Sequence, residues 1–385
     1  MYADELLRPW LGAMLPAVPG LALFDCHNHV GQNDPSGFTA TLEELVGCLD
    51  LNGGRSVVMP TAEPHGYGRA NADCAAAAAA SGGRLTAFTR ITPGEDPVDM
   101  LDQGLAAGAR GVKLHGASDD FVLDDPRLRE VYRRADHERL PVLVHAGPEL
   151  DDVGKAALRV CHEHPGLRMI LAHCALTDLG WIWREVASTP NLFFDTSWWT
   201  PAHLLALFRL VPPGRILLAS DLPYATPLSG AIATLRCAWQ AGLDEDQVRS
   251  VAGGQLCRLV DREDPLDMGA PPTRERRPPG PLLEILSSSL LIAMEPLQRG
   301  RQPGDPLTLA RHGCDVLADD PDADVIGSVS RLIRLYDGHS ADLPHRNQYT
   351  PGWDLIAAAA VVARTPAAPL PGSGAGDQTS AGLVE

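Results

Sequence analysis

With 385 residues, 45% of them hydrophobic, the chain is long enough to bury one large core and a second small one. A formal charge of −17 excludes the basic footprint that nucleic acid or an anionic membrane surface demands, so neither is expected as a partner. No apolar run approaches the ~18 residues of a membrane span, the first five residues are acidic where a secretory signal is basic, and the eight cysteines form no C-x-x-C pair; a cytoplasmic protein with free thiols and a small-molecule substrate is expected.

In chain order, residues 21–24 form an apolar run that reads as a β-strand and leads into His27 and His29. Side chains two apart on a strand share a face, so both imidazoles can reach one metal ion, and the same alternation predicts that Cys26 points away from them toward a helix layer. A helix follows over 41–51, with Glu43 and Glu44 in its first turn, then a strand over 56–60. The alanines of 75–80 belong to the next helix, since alanine has the highest helix propensity. Strands are predicted at 85–89, ending on Arg90, and at 111–114, ending on His115. Beyond a helix over 125–139, four more apolar runs end on His145, His173, Asp195 and Asp221. The strands are apolar on both faces, as parallel strands covered by helices are. Eight strand-plus-helix units over 20–262 approach the ~250 residues of a (β/α)8 TIM barrel, an α/β fold whose active site forms at the carboxyl ends of the strands. Every candidate ligand falls at that end.

The texture changes after Asp261, where six prolines between 265 and 281 mark a linker. Helical patterns resume at 282–297, 306–317, 322–336 and 353–362. The expected organisation is a barrel over 1–262, a Pro-rich linker over 263–281, a small helical domain over 282–365 and a disordered tail over 366–385. His312, His339 and His345 in this extension are too irregularly spaced for a ligand set. The continuous apolar run 290–294 predicts packing on the barrel or on a second subunit, so a homo-oligomer through these helices is an expectation.

The segments His27-Asn28-His29, Gly111-Val112-Lys113-Leu114-His115, Val144-His145-Ala146-Gly147, His173 and Ser220-Asp221-Leu222-Pro223, in this order and spacing, resemble the amidohydrolase superfamily. Within it they are similar to the branch that includes aminocarboxymuconate-semialdehyde decarboxylase and related hydrolases. The resemblance spans residues 20–262. It implies one divalent ion, zinc with manganese as the alternative, held by His27, His29, His145 and Asp221. On the same resemblance a metal-bound water is activated near neutral pH, Asp221 carries its proton to the leaving group, and His173 orients the water or polarises the substrate carbonyl.

Lys113 stands out because only two of the 32 basic residues are lysine, the other being Lys155. An amine inside a strand can be carboxylated or have its pKa shifted, which a guanidinium resists. In related binuclear enzymes a fourth-strand lysine is carboxylated and bridges two metals, and Lys113 with His173 would then serve a second site. The commoner outcome is a lysine lining the pocket. Candidate substrate contacts on the loops are Arg90, His65 and Trp198; Arg90 would hold a substrate carboxylate, or pair with Asp195 or a helix end. Three readings follow: hydrolysis of an amide, lactone or ester; non-oxidative decarboxylation of an aromatic or unsaturated acid; and a metal-binding barrel without turnover, acting as partner or sensor.

Overall fold

The computed structural model describes residues 2–372. Its centre is a parallel sheet of β1 (Phe24–Asp25), β2 (His29–Val30), β3 (Arg55–Pro60), β4 (Leu85–Arg90), β5 (Gly111–Leu114), β6 (Pro141–Val144), β7 (Arg168–Leu171), β8 (Leu192–Asp195) and β9 (Ile216–Leu217). From β3 onward each strand pairs in parallel with the next, and β1 and β2 share β3. The ring closes where Cys26 N donates to Leu218 O at 2.9 Å, Asp221 N to His27 O at 2.8 Å and His29 N to Leu222 O at 2.8 Å. The result is an eight-position TIM barrel with helices between the strands, as the sequence predicted.

One position departs from the expectation. Asp25 pairs with Ser56 and His29 with Met59, so four steps along the first strand face three along its partner. The extra residue breaks the alternation, as a bulge does, and Asp25 Oδ1 holds the turn by accepting from His27 N at 3.0 Å. Cys26 consequently does not point to the helix layer. It packs inside the barrel with Phe24, Val57, Met59, Phe88, Leu143, Ile170, Phe193 and Leu217. Gly111 is required in this interior, because a Cβ there would lie 2.7 Å from the Phe88 ring. Leu256, Leu259 and Val260, from the helix Gln255–Val260, close the amino-terminal end.

This inner layer sets up the site. Two residues beyond an inward apolar side chain the strand delivers an inward polar one: Phe88 to Arg90, Gly111 to Lys113, Leu143 to His145, Phe193 to Asp195, and Leu217 through Ala219 to Asp221.

After residues 261–280, which hold no helix or strand, four helices follow at Pro281–Gln298, Gly304–Gly313, Ala323–His339 and Trp353–Arg364. The last is buried along almost its whole length, wrapped by its fellows and by the barrel helix Pro227–Ala241. An alanine-rich helix allows such close packing on several sides. Of the run 290–294, Leu290, Ala293 and Met294 are buried within the chain, while Ile292 stays exposed in line with Ile285. A helix not anticipated from the sequence, Asp4–Met14, precedes the barrel and ties it to the extension, with Trp10 Nε1 donating to Ser328 Oγ at 2.9 Å. The start of the expected tail is held down: buried Arg236 donates to Thr365 O at 3.1 Å and Pro369 O at 2.6 Å. The remainder, 373–385, lies outside the described residues. No helix among the described residues is long and apolar enough to cross a membrane.

Candidate active site

His27, His29 and Asp221 converge at the carboxyl end of the barrel, with one ligand atom from each within 4.8 Å of the others. The proton positions decide what this cluster can bind. His27 Nδ1 faces Asp195 Oδ2 at 2.8 Å and His29 Nδ1 faces Pro60 O at 3.0 Å, both acceptors, so each ring carries its proton on Nδ1. The two Nε2 lone pairs then face each other 3.1 Å apart. Asp221 Oδ1 lies 3.2 Å from one and 3.6 Å from the other and has no hydrogen-bond donor among the described residues. Three electron-pair donors converge without a proton between them, an arrangement that repels unless a cation occupies it. A divalent ion therefore fits the donor set, and tying the far nitrogen of each histidine to a carboxylate or carbonyl is how metal-binding imidazoles are oriented.

Lys113 brings a positive charge to the same cluster. Fully buried, it brings Nζ to 2.9 Å from His27 Nε2, onto the lone pair a metal would take. Burial lowers its pKa to about 8, so loss of its proton lies within reach near neutrality. Burial likewise pushes Asp221 up to about 6 and, with Lys113 adding repulsion, holds His27 and His29 well below the ordinary imidazole range.

His145, the fourth expected ligand, stands apart from the trio and belongs to a second pair. Its Nε2 faces Glu149 Oε2 at 3.0 Å, and its Nδ1 meets His173 Nε2 at 3.1 Å. His173 in turn directs Nδ1 to Ser197 O at 3.0 Å. Gly147 is needed for the first contact, since a Cβ there would lie 2.4 Å from Glu149 Oε2. Hydrogen bonding from His145 lowers Glu149 to about 2. His115 stacks on His145, with ring centroids 3.9 Å apart.

Asp195 is the organising residue that the sequence reading passed over. Beyond its bond to His27, its Oδ1 accepts from His173 N and Ser197 N, each at 2.9 Å, and from Ser197 Oγ at 2.5 Å. It joins both histidine pairs. Its signal was there to be used: it ends a strand two residues after inward Phe193. A second network, Ser220 Oγ to Asp25 Oδ2 at 2.5 Å and to Asn28 Oδ1 at 2.9 Å, with Asn28 Nδ2 to Ser56 Oγ at 2.8 Å, locks the closing strands. Asp221 and His173 both have left-handed backbones, with φ of 68° and 56°. Such conformations persist where surrounding bonds over-determine them, and they cluster at functional sites.

The substrate-contact expectations fare differently. Arg90 lines the cavity but is buried and bonded through Nε and Nη2 to both Asp119 carboxylate oxygens at 3.0–3.1 Å, with Tyr67 stacked against it. Trp198 lines the cavity 6.3 Å from the His173 ring. His65 is exposed and does not line it. The cavity, of about 310 Å³, runs from His29, Asp221 and His173 to the C-terminal helices, reaching Tyr349, Trp353 and Ala358.

The family model described as amidohydrolase matches residues 24–254, more than half of the chain. The chain belongs to the amidohydrolase family. This amidohydrolase has no match among curated proteins. Among solved structures it is similar in fold to an uncharacterized TIM-barrel protein from Bordetella bronchiseptica, with a TM-score of 0.51, 18% identity, and coverage of 63% of this chain and 99% of that one. It is also similar to 5-carboxyvanillate decarboxylase from Sphingomonas paucimobilis, with a TM-score of 0.50, 16% identity, and coverage of 63% and 99%. The family comprises metal-dependent hydrolases and decarboxylases, and the amidohydrolase is an enzyme of that group.

Proposed function

We propose that this amidohydrolase hydrolyses an amide, ester or lactone in a small molecule, using one divalent ion, zinc in our reading, at His27, His29 and Asp221. The observation that carries this is the unprotonated convergence of His27 Nε2, His29 Nε2 and Asp221 Oδ1. A cation held there supplies Lewis acidity toward water and toward a substrate carbonyl.

The chain's own groups divide the remaining work. Asp221, whose Oδ1 has no hydrogen-bond donor among the described residues, is the carboxylate placed to take the attacking water's proton. His173, fixed by Ser197 O through Nδ1, turns Nε2 to His145 Nδ1, with which it shares a proton. Asp195 holds His27 in the tautomer that leaves Nε2 free. A cation at His27 Nε2 would take the position that Lys113 Nζ holds at 2.9 Å. Carboxylation of Lys113, with His173 completing a second metal site, is the alternative, and bicarbonate-dependent activity would reveal it.

Hydrolysis is favoured over decarboxylation by the fate of Arg90. Among the described residues it is the only arginine or lysine lining the cavity, and Asp119 already neutralises it. Asp34, Glu149, Asp221 and Asp354 line the same space. Away from the cation the described lining offers a substrate carboxylate no unpaired positive charge, whereas a neutral carbonyl compound needs none. The test is metal reconstitution followed by a screen of lactones, esters, amides and aromatic acids. Proton release from neutral substrates is expected, and carbon dioxide release from an aromatic acid would reverse the assignment.

A further inference from the structure

The cavity continues beyond the polar rim, between the helix Pro227–Ala241 and the helix Trp353–Arg364. Its walls there are Ile232, Ala233, Ala357, Ala358 and Val361, which carry no polar side-chain atom. Within the last helix Leu355, Ile356, Ala359 and Ala360 are sealed at 0% exposure, while Ala357 and Ala358 retain 8% and 7%. Across from them Ala233 retains 8%. The residual openness falls on the side chains that face the cavity, and their small size makes the space. Apolar lining offers water no partners and forfeits dispersion contacts while nothing fills it, so the slot selects an apolar occupant. Asp354 borders the passage only at the start of the helix, where its Oδ2 accepts from Ala3 N at 2.7 Å.

At the other end of the same cavity stand His29, His173 and Asp221. A molecule that spans it has a carbonyl at the rim and an aliphatic chain in the slot. We propose that the slot binds the aliphatic portion of the substrate, making this enzyme a hydrolase of alkyl- or acyl-bearing amides, esters or lactones. The helix Trp353–Arg364 sets the chain length accepted. That helix lies outside the matched residues 24–254, so one wall of the slot is built from the chain's own extension and the other from the barrel helix Pro227–Ala241. The proposal rests on the metal-hydrolase reading, which supplies the chemistry at the rim.

The test is calorimetric titration of the zinc-loaded full chain with straight-chain hydroxamates from acetohydroxamate to decanohydroxamate. Affinity is expected to rise about fourfold for each methylene that enters the slot. Ala358→Phe is expected to leave zinc content and acetohydroxamate affinity unchanged and to abolish the gain for longer chains. Ala357→Val, a milder change that keeps the fold, is expected to shorten the series over which affinity rises. Chain-length-independent affinity in the parent protein overturns the proposal, and so does an equal loss for short and long chains in Ala357→Val. Failure to bind zinc or acetohydroxamate instead removes the reading on which it rests. In that event 1-octanol replaces the hydroxamates: binding weakened by Ala357→Val supports the slot, and binding that is absent or unaffected overturns it.

Discussion

At the barrel rim His27, His29 and His173 each have Nδ1 tied to a neighbouring oxygen and Nε2 turned toward another ligand atom, whereas along Ala357, Ala358 and Val361 the same cavity meets only carbon. The rim is made by the family's strand ends; the slot is made where a helix appended after them packs on the barrel helix Pro227–Ala241. The contrast separates two tasks. Chemistry needs orientation, which the barrel supplies through buried hydrogen bonds that fix tautomers. Selection needs shape, which small side chains on packed helices supply without touching the reacting groups.

The largest break in this division should come from Asp221→Asn, which removes both a ligand charge and the base. Turnover is expected to fall by about 10³-fold or more, in the range seen when an acid–base group is lost. Undiminished turnover in a steady-state assay would remove Asp221 from the chemistry. Next is Arg90→Met, which leaves the Asp119 carboxylate with the Tyr67 hydroxyl but no counter-charge; breaking a buried pair costs up to about 3–5 kcal/mol, and denaturant unfolding should register it. If the arginine instead holds a substrate carboxylate, the loss will appear in KM with stability little changed.

A smaller effect is expected from Asp195→Asn. Mutating groups that orient metal-bound histidines typically costs about 10–100-fold in metal affinity, and competition with a chromophoric chelator measures it; affinity equal to the parent's would show that the His27 tautomer needs no carboxylate.

The smallest effect tests the extension. Burial, with Asp4 nearby, raises Asp354 to about 7 and Asp4 to about 6. A carboxyl raised on folding contributes stability that is complete below its unfolded pKa near 4 and is lost as pH rises through the folded value. The parent should therefore lose Tm between pH 4 and 8, and Asp354→Asn should gain on it by about 2–4 °C over that interval. Parallel melting curves for the two proteins would contradict this.

Much of the barrel could be read from the chain because a parallel strand covered on both faces leaves an unbroken apolar run, and the residue after the run falls at the catalytic end. His27, His29, His173 and Asp221 announced themselves in that way. What stayed hidden depends on contacts between distant segments. Nothing local says that Arg90 will meet Asp119, or that Asp195 will serve two histidines, one of them 168 positions away. Cys26 was misplaced because an extra residue in the first strand breaks alternation without altering composition. His145 carries the expected residue type at the expected position, yet its pairing with His173 and Glu149 is a matter of side-chain geometry. The wall formed by Ala357 and Ala358 is the hardest to foresee, since an alanine-rich helix reads the same whether it fills a core or bounds a cavity.

The proposed divalent-ion site rests on three lone pairs at the barrel rim. An anomalous difference map from a zinc-soaked crystal tests it. The expected result is a single strong peak about 2.0–2.2 Å from His27 Nε2, His29 Nε2 and an Asp221 carboxylate oxygen, with Lys113 Nζ displaced from His27. A map empty at that position, alongside full activity in metal-free protein, would contradict it.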